Sequence, residues 1–175
     1  MRLLRSILIL PGMALVVIPA LILALTRSAH IGWSLSPPSS YIPIALGLLF
    51  ILLGLILIIP TIRLLSKAGR GTLAPWDPTQ RLVVQGPYRY VRNPMIMGVL
   101  VALLGEAVFF GSFPLFVWFS AFLAVNAIYM PLSEEPGLEK RFGEQYQAYK
   151  ENVPRWLPRY SPWEGPEPPD SDRYG

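Results

Sequence analysis

The chain has 175 residues, one domain by length, and 53% of them are hydrophobic while only 15% are charged. A soluble domain is nearer about a quarter charged, so composition points to the membrane class. Cysteine is absent, which excludes disulfides, thiolate metal sites and a cysteine nucleophile, and the one histidine, His30, argues against a histidine-built metal site or a serine–histidine hydrolase. The net charge of +4 comes from basic residues flanking apolar stretches, which read as membrane-topology charge and substrate contacts and not as a nucleic-acid face.

Ile7 to Thr26 is apolar, with Arg2, Arg5 and Arg27 at its ends. It exceeds the apolar core of about 7–15 residues found in a secretory signal, and no clean cleavage site follows, so it is read as a retained transmembrane helix bent at Pro19. Ala29 to Ser40 is a short connection rich in Ser and Pro, with Trp33 as an interfacial aromatic. Tyr41 to Leu65 is a second span, long enough to cross with some tilt, with Arg63, Lys67 and Arg70 at its end. Gly69 to Pro78 is a polar loop punctuated by proline and glycine, and Arg81 to Gln85 is a short extended piece.

Met95 to Phe110 and Phe113 to Met130 form a third and a fourth span, each near the lower limit of about 17–25 residues for crossing. Gly111-Ser112 between them makes the pair a tight helical hairpin. Beyond Pro131, Leu138, Phe142, Tyr146, Tyr149 and Val153 recur at helical spacing and define one face of an amphipathic helix. Ser133 is its expected N-cap, Pro136 fits the first turn, and Glu134 and Glu135 suit the positive end of the helix dipole. The tail from Ser161 is rich in proline, glycine and acid and is expected to be disordered. The fold class is therefore all-α: a polytopic membrane protein with about four transmembrane helices and a cytoplasmic amphipathic C-terminal helix.

Lysine and arginine crowd both termini and the loop from Lys67 to Asn93, whereas the first inter-span loop has Arg27 alone and the hairpin tip none. The positive-inside rule puts both termini and that loop in the cytoplasm. Two polar clusters then share one side of the membrane: Gly86-Pro87-Tyr88-Arg89-Tyr90-Val91-Arg92-Asn93-Pro94, whose proline suits the first turn of the third span, and Ser133-Glu134-Glu135. They are expected to meet and form the site. Glu106 lies inside the third span on one face with Gly98 and Ala102. It either faces a protein or water-filled interior, with Asn126 as its partner, or sits close enough to the outer interface to reach water.

The Gly86–Pro94 stretch, Gly98, Glu134-Glu135, Phe142-Gly143-x-x-Tyr146-x-x-Tyr149 and Val153-Pro154-Arg155 together resemble the isoprenylcysteine carboxyl methyltransferase and phospholipid methyltransferase group, and the loop from Thr72 to Pro78 looks like that of its bacterial members. The resemblance covers roughly Gly69 to Arg159. It implies an integral membrane enzyme that uses S-adenosylmethionine without a Rossmann domain or a metal, and that methylates a carboxylate or an amine on a lipidic or amphipathic small molecule. The regions it implies are an N-terminal two-helix part over 1–66, a methyltransferase-like core over 67–160 and a tail over 161–175.

The family pattern Arg-His-Pro-x-Tyr-x-Gly reads here as Arg92-Asn93-Pro94-Met95-Ile96-Met97-Gly98. Asn93 can donate and accept hydrogen bonds but cannot titrate near neutral pH, and Ile96 lacks the hydroxyl and the aromatic wall. On this resemblance the cofactor-binding residues are Gly86, Tyr88, Arg89, Tyr90, Arg92, Asn93, Pro94, Gly98, Glu134, Glu135, Tyr146 and Tyr149, and the catalytic candidates are Arg92, Asn93 and Glu106. Arg89 or Arg92 could pair with the cofactor's carboxylate, and Glu134 and Glu135 could accept from its ammonium or ribose hydroxyls. Glu135→Ala is expected to weaken cofactor binding and leave folding near normal.

Blander readings make the arginines topological anchors, Tyr88 and Tyr90 interfacial belt residues, and the glutamates ordinary helix-start acids. Two other functions stay open. One is an NADPH-dependent membrane reductase of the sterol-reductase type, with Arg81, Arg155 and Arg159 for a 2′-phosphate. The other is an inactive membrane scaffold.

Overall fold

The structure, a computed structural model, describes residues 11–68 and 82–165, without the side chains of 66–68. Arg2, Arg5, Lys67's side chain, the Gly69–Pro78 loop, Arg81 and the end of the tail lie outside the described residues. Every regular element within them is helical. The π-turn Met13–Val17 leads into α1 (Ile18–Thr26), and α2 is Tyr41–Ala68. After a 3-10 turn at Gly86–Arg89 come α3 (Pro94–Phe110) and α4 (Phe113–Tyr129). A second π-turn, Met130–Glu134, joins α4 to α5 (Glu135–Phe142), and α6 is Glu144–Asn152.

Three stretches are long and apolar enough to cross a bilayer: Met13–Ser34, Tyr41–Leu65 and Phe113–Phe142. The fourth expected span, α3, has 17 residues, about 26 Å at 1.5 Å per residue, a little short of a hydrocarbon core of about 30 Å. It compensates by being enclosed in protein: Val99, Leu100, Ala102, Leu103 and Ala107 are all buried. The resulting molecule is an all-α polytopic membrane protein, as expected.

Small residues set how closely α3 lies on α2. Gly47 and Gly54 on α2 meet Gly98 and Gly105 on α3; a Cβ on Gly54 would stand 2.5 Å from the Gly98 carbonyl oxygen, and one on Gly105 would stand 2.7 Å from that of Gly47. Backbones that approach this closely gain van der Waals contact that lipid tails cannot supply. Ile58, Ile62, Val99, Leu103 and Ala14 form the buried core between the helices, with Trp118, Phe119 and Phe122 of α4 against them.

Prolines explain the π-turns. At the end of Met13–Val17 the Ile18 N–H reaches five residues back, to the Met13 carbonyl. Pro19 has no N–H for the Ala14 carbonyl, and the Trp118 indole donates to that oxygen instead, at 3.1 Å. The irregularity expected at Pro19 therefore lies one turn before it. At Pro131 the same accommodation keeps the helix running from α4 into α5. This corrects the sequence-based N-cap: Ser133 lies inside a continuous helix and makes no cap.

One further correction concerns the C-terminal part. The amphipathic face is carried by two helices, because Gly143 at φ 52° breaks α5 from α6. Tyr146, Tyr149 and Val153 are buried together all the same, with Leu138 and Phe142 packed on them. Of the tail, residues 161–165 are described. Trp163 lies 5.7 Å from the Tyr149 ring, and its N–H donates to the Arg89 carbonyl at 2.9 Å.

At one end of the bundle the first connection folds onto the α3–α4 turn. The His30 N–H donates to the Phe110 carbonyl at 2.6 Å and the Trp33 indole to that of Val108 at 2.8 Å. The two polar clusters lie together at the opposite end.

Candidate active site

Four features of the chain build the site. Gly86, at φ 54° where glycine is favoured, turns the chain into the 3-10 segment that ends at Arg89. Pro94, buried at the start of α3, fixes where the helix begins. The intervening backbone is tied to the chain after α6: the Arg92 N–H donates to the Pro154 carbonyl at 2.9 Å and the Arg159 N–H to the Tyr90 carbonyl at 3.0 Å. From the far side, the unbroken α4–α5 helix delivers Glu134 and Glu135 to the same place.

The clusters meet at Glu135. Its carboxylate, only 4% exposed, takes Arg155 bidentately, with Nε donating to Oε1 at 2.6 Å and Nη2 to Oε2 at 2.8 Å. Arg92 Nη1 stands 3.0 Å from Oε1, and Lys150 Nζ 3.9 Å from Oε2. The hydrogen bond to Glu135 pushes the already high pKa of Arg155 further up. Glu135 is thus occupied by protein cations.

Arg92 has donors to spare. Its side chain is 9% exposed, and its Nε and Nη1 are buried with no hydrogen-bond acceptor, Nη1 lying beside Glu135 but off the line of a bond. Buried donors without partners are costly, about 1–3 kcal/mol each, and mark a place where a ligand can complete the network.

These groups open on a cavity of about 600 Å³, lined by Tyr88, Arg92, Asn93, Glu134, Glu135, Tyr146 and Tyr149 at its polar end. Ala14, Met95, Ile96, Val99 and Phe122 are among the residues that line the rest, as are Asn126, Tyr129 and Arg141. That volume falls within the range of small-molecule sites, about 300–1,000 Å³. Glu134 has no ion pair or hydrogen bond among the described residues. Asn93 occupies the N-cap position of α3 without capping it, so its amide is left for the cavity.

Three phenols frame the polar end. The Tyr149 hydroxyl donates to the Tyr88 carbonyl at 2.7 Å. Burial, then the nearby Glu134 charge, pushes the Tyr88 hydroxyl pKa up; burial likewise raises those of Tyr149 and Tyr146. All three stay protonated donors across the physiological range.

Several sequence candidates lie elsewhere. Gly86 and Pro94 shape the backbone and are not part of the cavity wall. Gly98 faces α2, where an added Cβ would stand 2.8 Å from Ile58 and 2.9 Å from the Gly54 carbonyl oxygen. Arg89 turns to the tail, its Nε donating to the Trp163 carbonyl at 2.7 Å and its Nη2 lying 3.6 Å from Glu164. Tyr90 is exposed and outside the cavity.

Glu106 is thirteen residues beyond Asn93 on α3, about 20 Å along the helix, and does not touch the cavity. Its Oε2 is buried without a partner. Asn126 is not its mate, because the Asn126 Nδ2 donates to the Phe122 carbonyl at 2.8 Å and lines the cavity instead.

Sequence reasoning missed Arg155 as Glu135's partner. The motif Val153-Pro154-Arg155 contained the residue, but nothing in a spacing of twenty positions signals a bidentate pair.

Comparison with known proteins matches residues 42–145 to the phospholipid methyltransferase family. Among curated proteins, the protein-S-isoprenylcysteine O-methyltransferase of Schizosaccharomyces pombe is 34% identical over 77 residues, covering 44% of this chain and 33% of the relative. The chain thus spans about a third of that relative's length. No solved structure matches.

Proposed function

Because the chain belongs to the phospholipid methyltransferase family, we propose that it is an integral-membrane methyltransferase that takes its methyl group from S-adenosylmethionine and acts on a lipidic or amphipathic small molecule. One observation carries the proposal: a buried arginine, its Nε without an acceptor and its Nη1 held by Glu135 through an ion pair at 3.0 Å, faces the same cavity as Glu134, which has no ion pair or hydrogen bond among the described residues. An amino-acid end, carboxylate beside ammonium, is the complement of that pair. The residues present therefore fit the cofactor.

Arg92 pairs with the carboxylate, and Glu134 accepts from the ammonium or the ribose hydroxyls. Tyr88, Tyr146 and Tyr149 offer ring faces, and Tyr88 and Tyr146 protonated hydroxyls, the Tyr149 hydroxyl being engaged with the Tyr88 carbonyl. Asn93 gives hydrogen bonds without titrating. Glu135 and Arg155 are positioning residues, holding Arg92 in place through their shared ion network. When bound, S-adenosylmethionine supplies a methyl group already activated on a sulfonium. What remains for the chain is alignment and exclusion of water, which the apolar wall of Met95, Ile96, Val99 and Phe122 supports. A carboxylate acceptor arrives ionised and needs no base; an amine must arrive neutral. The lysine and arginine distribution supports a site at the cytoplasmic face.

Of the basic residues the reductase reading would use, Arg81 lies outside the described residues and the other two are engaged elsewhere. Both donor arms of Arg155 are spent on Glu135, and Arg159 Nη1 donates to the Asn152 carbonyl at 2.8 Å. Detergent-purified protein incubated with methyl-labelled S-adenosylmethionine and membrane lipid tests the proposal. Label in the extracted lipid supports it. Its absence, together with binding of NADPH alone, points to reduction; binding of neither cofactor leaves the scaffold.

A further inference from the structure

Asn126 is a polar side chain set among apolar ones. Phe122, Asn126, Met130 and Glu134 follow at four-residue spacing along the α4–α5 helix, and all four line the cavity. The far side of the same helix, at Leu123, Val125 and Ile128, is exposed apolar surface. Asn126 lies eight residues before Glu134, about 12 Å further toward the hydrocarbon. Its amide orientation is set by its own helix, because Nδ2 donates to the Phe122 carbonyl at 2.8 Å. Oδ1 has no partner among the described residues. A polar side chain at membrane depth normally finds a partner on a neighbouring helix. Ala14, Met95, Ile96 and Val99 line the same cavity, and none of them carries a side-chain donor.

We propose that Asn126 determines which acceptors the cavity takes, its Oδ1 accepting a hydrogen bond from an N–H or O–H carried by the acceptor where its polar head meets its hydrocarbon. This rests on the methyltransferase reading for the word acceptor, but the contact itself does not depend on it. Amphiphiles with a hydroxyl, an amine or an amide N–H at that point satisfy the oxygen. Ethers and esters there leave it desolvated and unpaired, which sites built around a hydrogen bond reject.

The test is isothermal titration of the detergent-purified full chain with 1-dodecanol and, separately, with methyl undecyl ether. The expected result is about fivefold tighter binding of the alcohol, the effect of one ordinary net hydrogen bond. Asn126→Leu should bring the ratio near one, with differences in detergent partitioning cancelling between the two proteins, and Asn126→Asp, which keeps an acceptor oxygen, should retain it. Equal binding of the two probes by the wild type, binding of neither, or a ratio that survives in Asn126→Leu overturns the proposal. The wild-type ratio stands as a test even if a variant fails to fold. Titrating the same preparations with S-adenosylmethionine keeps the two failures apart. Discrimination without cofactor binding sinks the methyltransferase reading alone, and cofactor binding without discrimination sinks the role of Asn126 alone.

Discussion

Removing Glu135 should unfold more of this protein than removing the arginine bound to it. Glu135→Ala takes away the shared counter-ion of Arg92 at 3.0 Å, Arg155 at 2.6 Å and Lys150 at 3.9 Å. Arg92, 9% exposed, is then a buried cation with another cation beside it. Breaking a buried pair in this way costs about 3–5 kcal/mol. At roughly 2–4 °C per kcal/mol for a chain of this size, the midpoint of thermal unfolding in detergent should fall by roughly 6–20 °C.

Arg155→Ala should cost less, about 1.5–3 kcal/mol, because Glu135 keeps Arg92 and Lys150. The double variant should fall short of the sum of the two by about 1–3 kcal/mol, since removing Arg155 relieves the repulsion on Arg92. Strict additivity, or Glu135→Ala as stable as wild type, would refute the network. The sequence-based expectation that Glu135→Ala leaves folding near normal is replaced by this one, because the carboxylate is a buried hub and not a free ligand group.

Three further outcomes follow from the same contacts. Gly98→Ala pushes a methyl against the Gly54 carbonyl oxygen at 2.9 Å and should cost about 1–3 kcal/mol, measured as a lowered unfolding midpoint. Tyr149→Phe leaves the buried Tyr88 carbonyl without its 2.7 Å donor and should cost about 1–2 kcal/mol in the same assay. Trp163→Ala removes the ring packed on Tyr149, and limited proteolysis should then cut after Arg155 or Arg159 faster than in wild type; an unchanged cleavage rate would show that the tail is not held by that contact.

The spans were readable because apolar runs bounded by arginine and proline have few alternatives in a chain with so little charge. That two distant polar stretches would share one end followed from counting crossings. Other features were in the sequence but unread. Gly47 and Gly54, and Gly98 and Gly105, repeat at seven residues, the spacing of a helix-packing stripe; only Gly98 was noticed, and it was assigned to the cofactor. The π-turn that carries the helix past Pro131 leaves no local signature. Ser133 had the chemistry of a cap, but a cap needs a helix that starts there. The Arg155–Glu135 pair and the docking of Trp163 are long-range contacts, set by where α6 and the chain after it return.

The most direct measurement is isothermal titration of S-adenosylmethionine into the purified wild type and into Arg92→Met. A charged hydrogen bond of about 1.5–3 kcal/mol corresponds to roughly 10- to 150-fold in affinity. The account expects saturable binding to the wild type and a loss of at least about tenfold in the variant. No binding to the wild type, or equal affinity in both proteins, would contradict it.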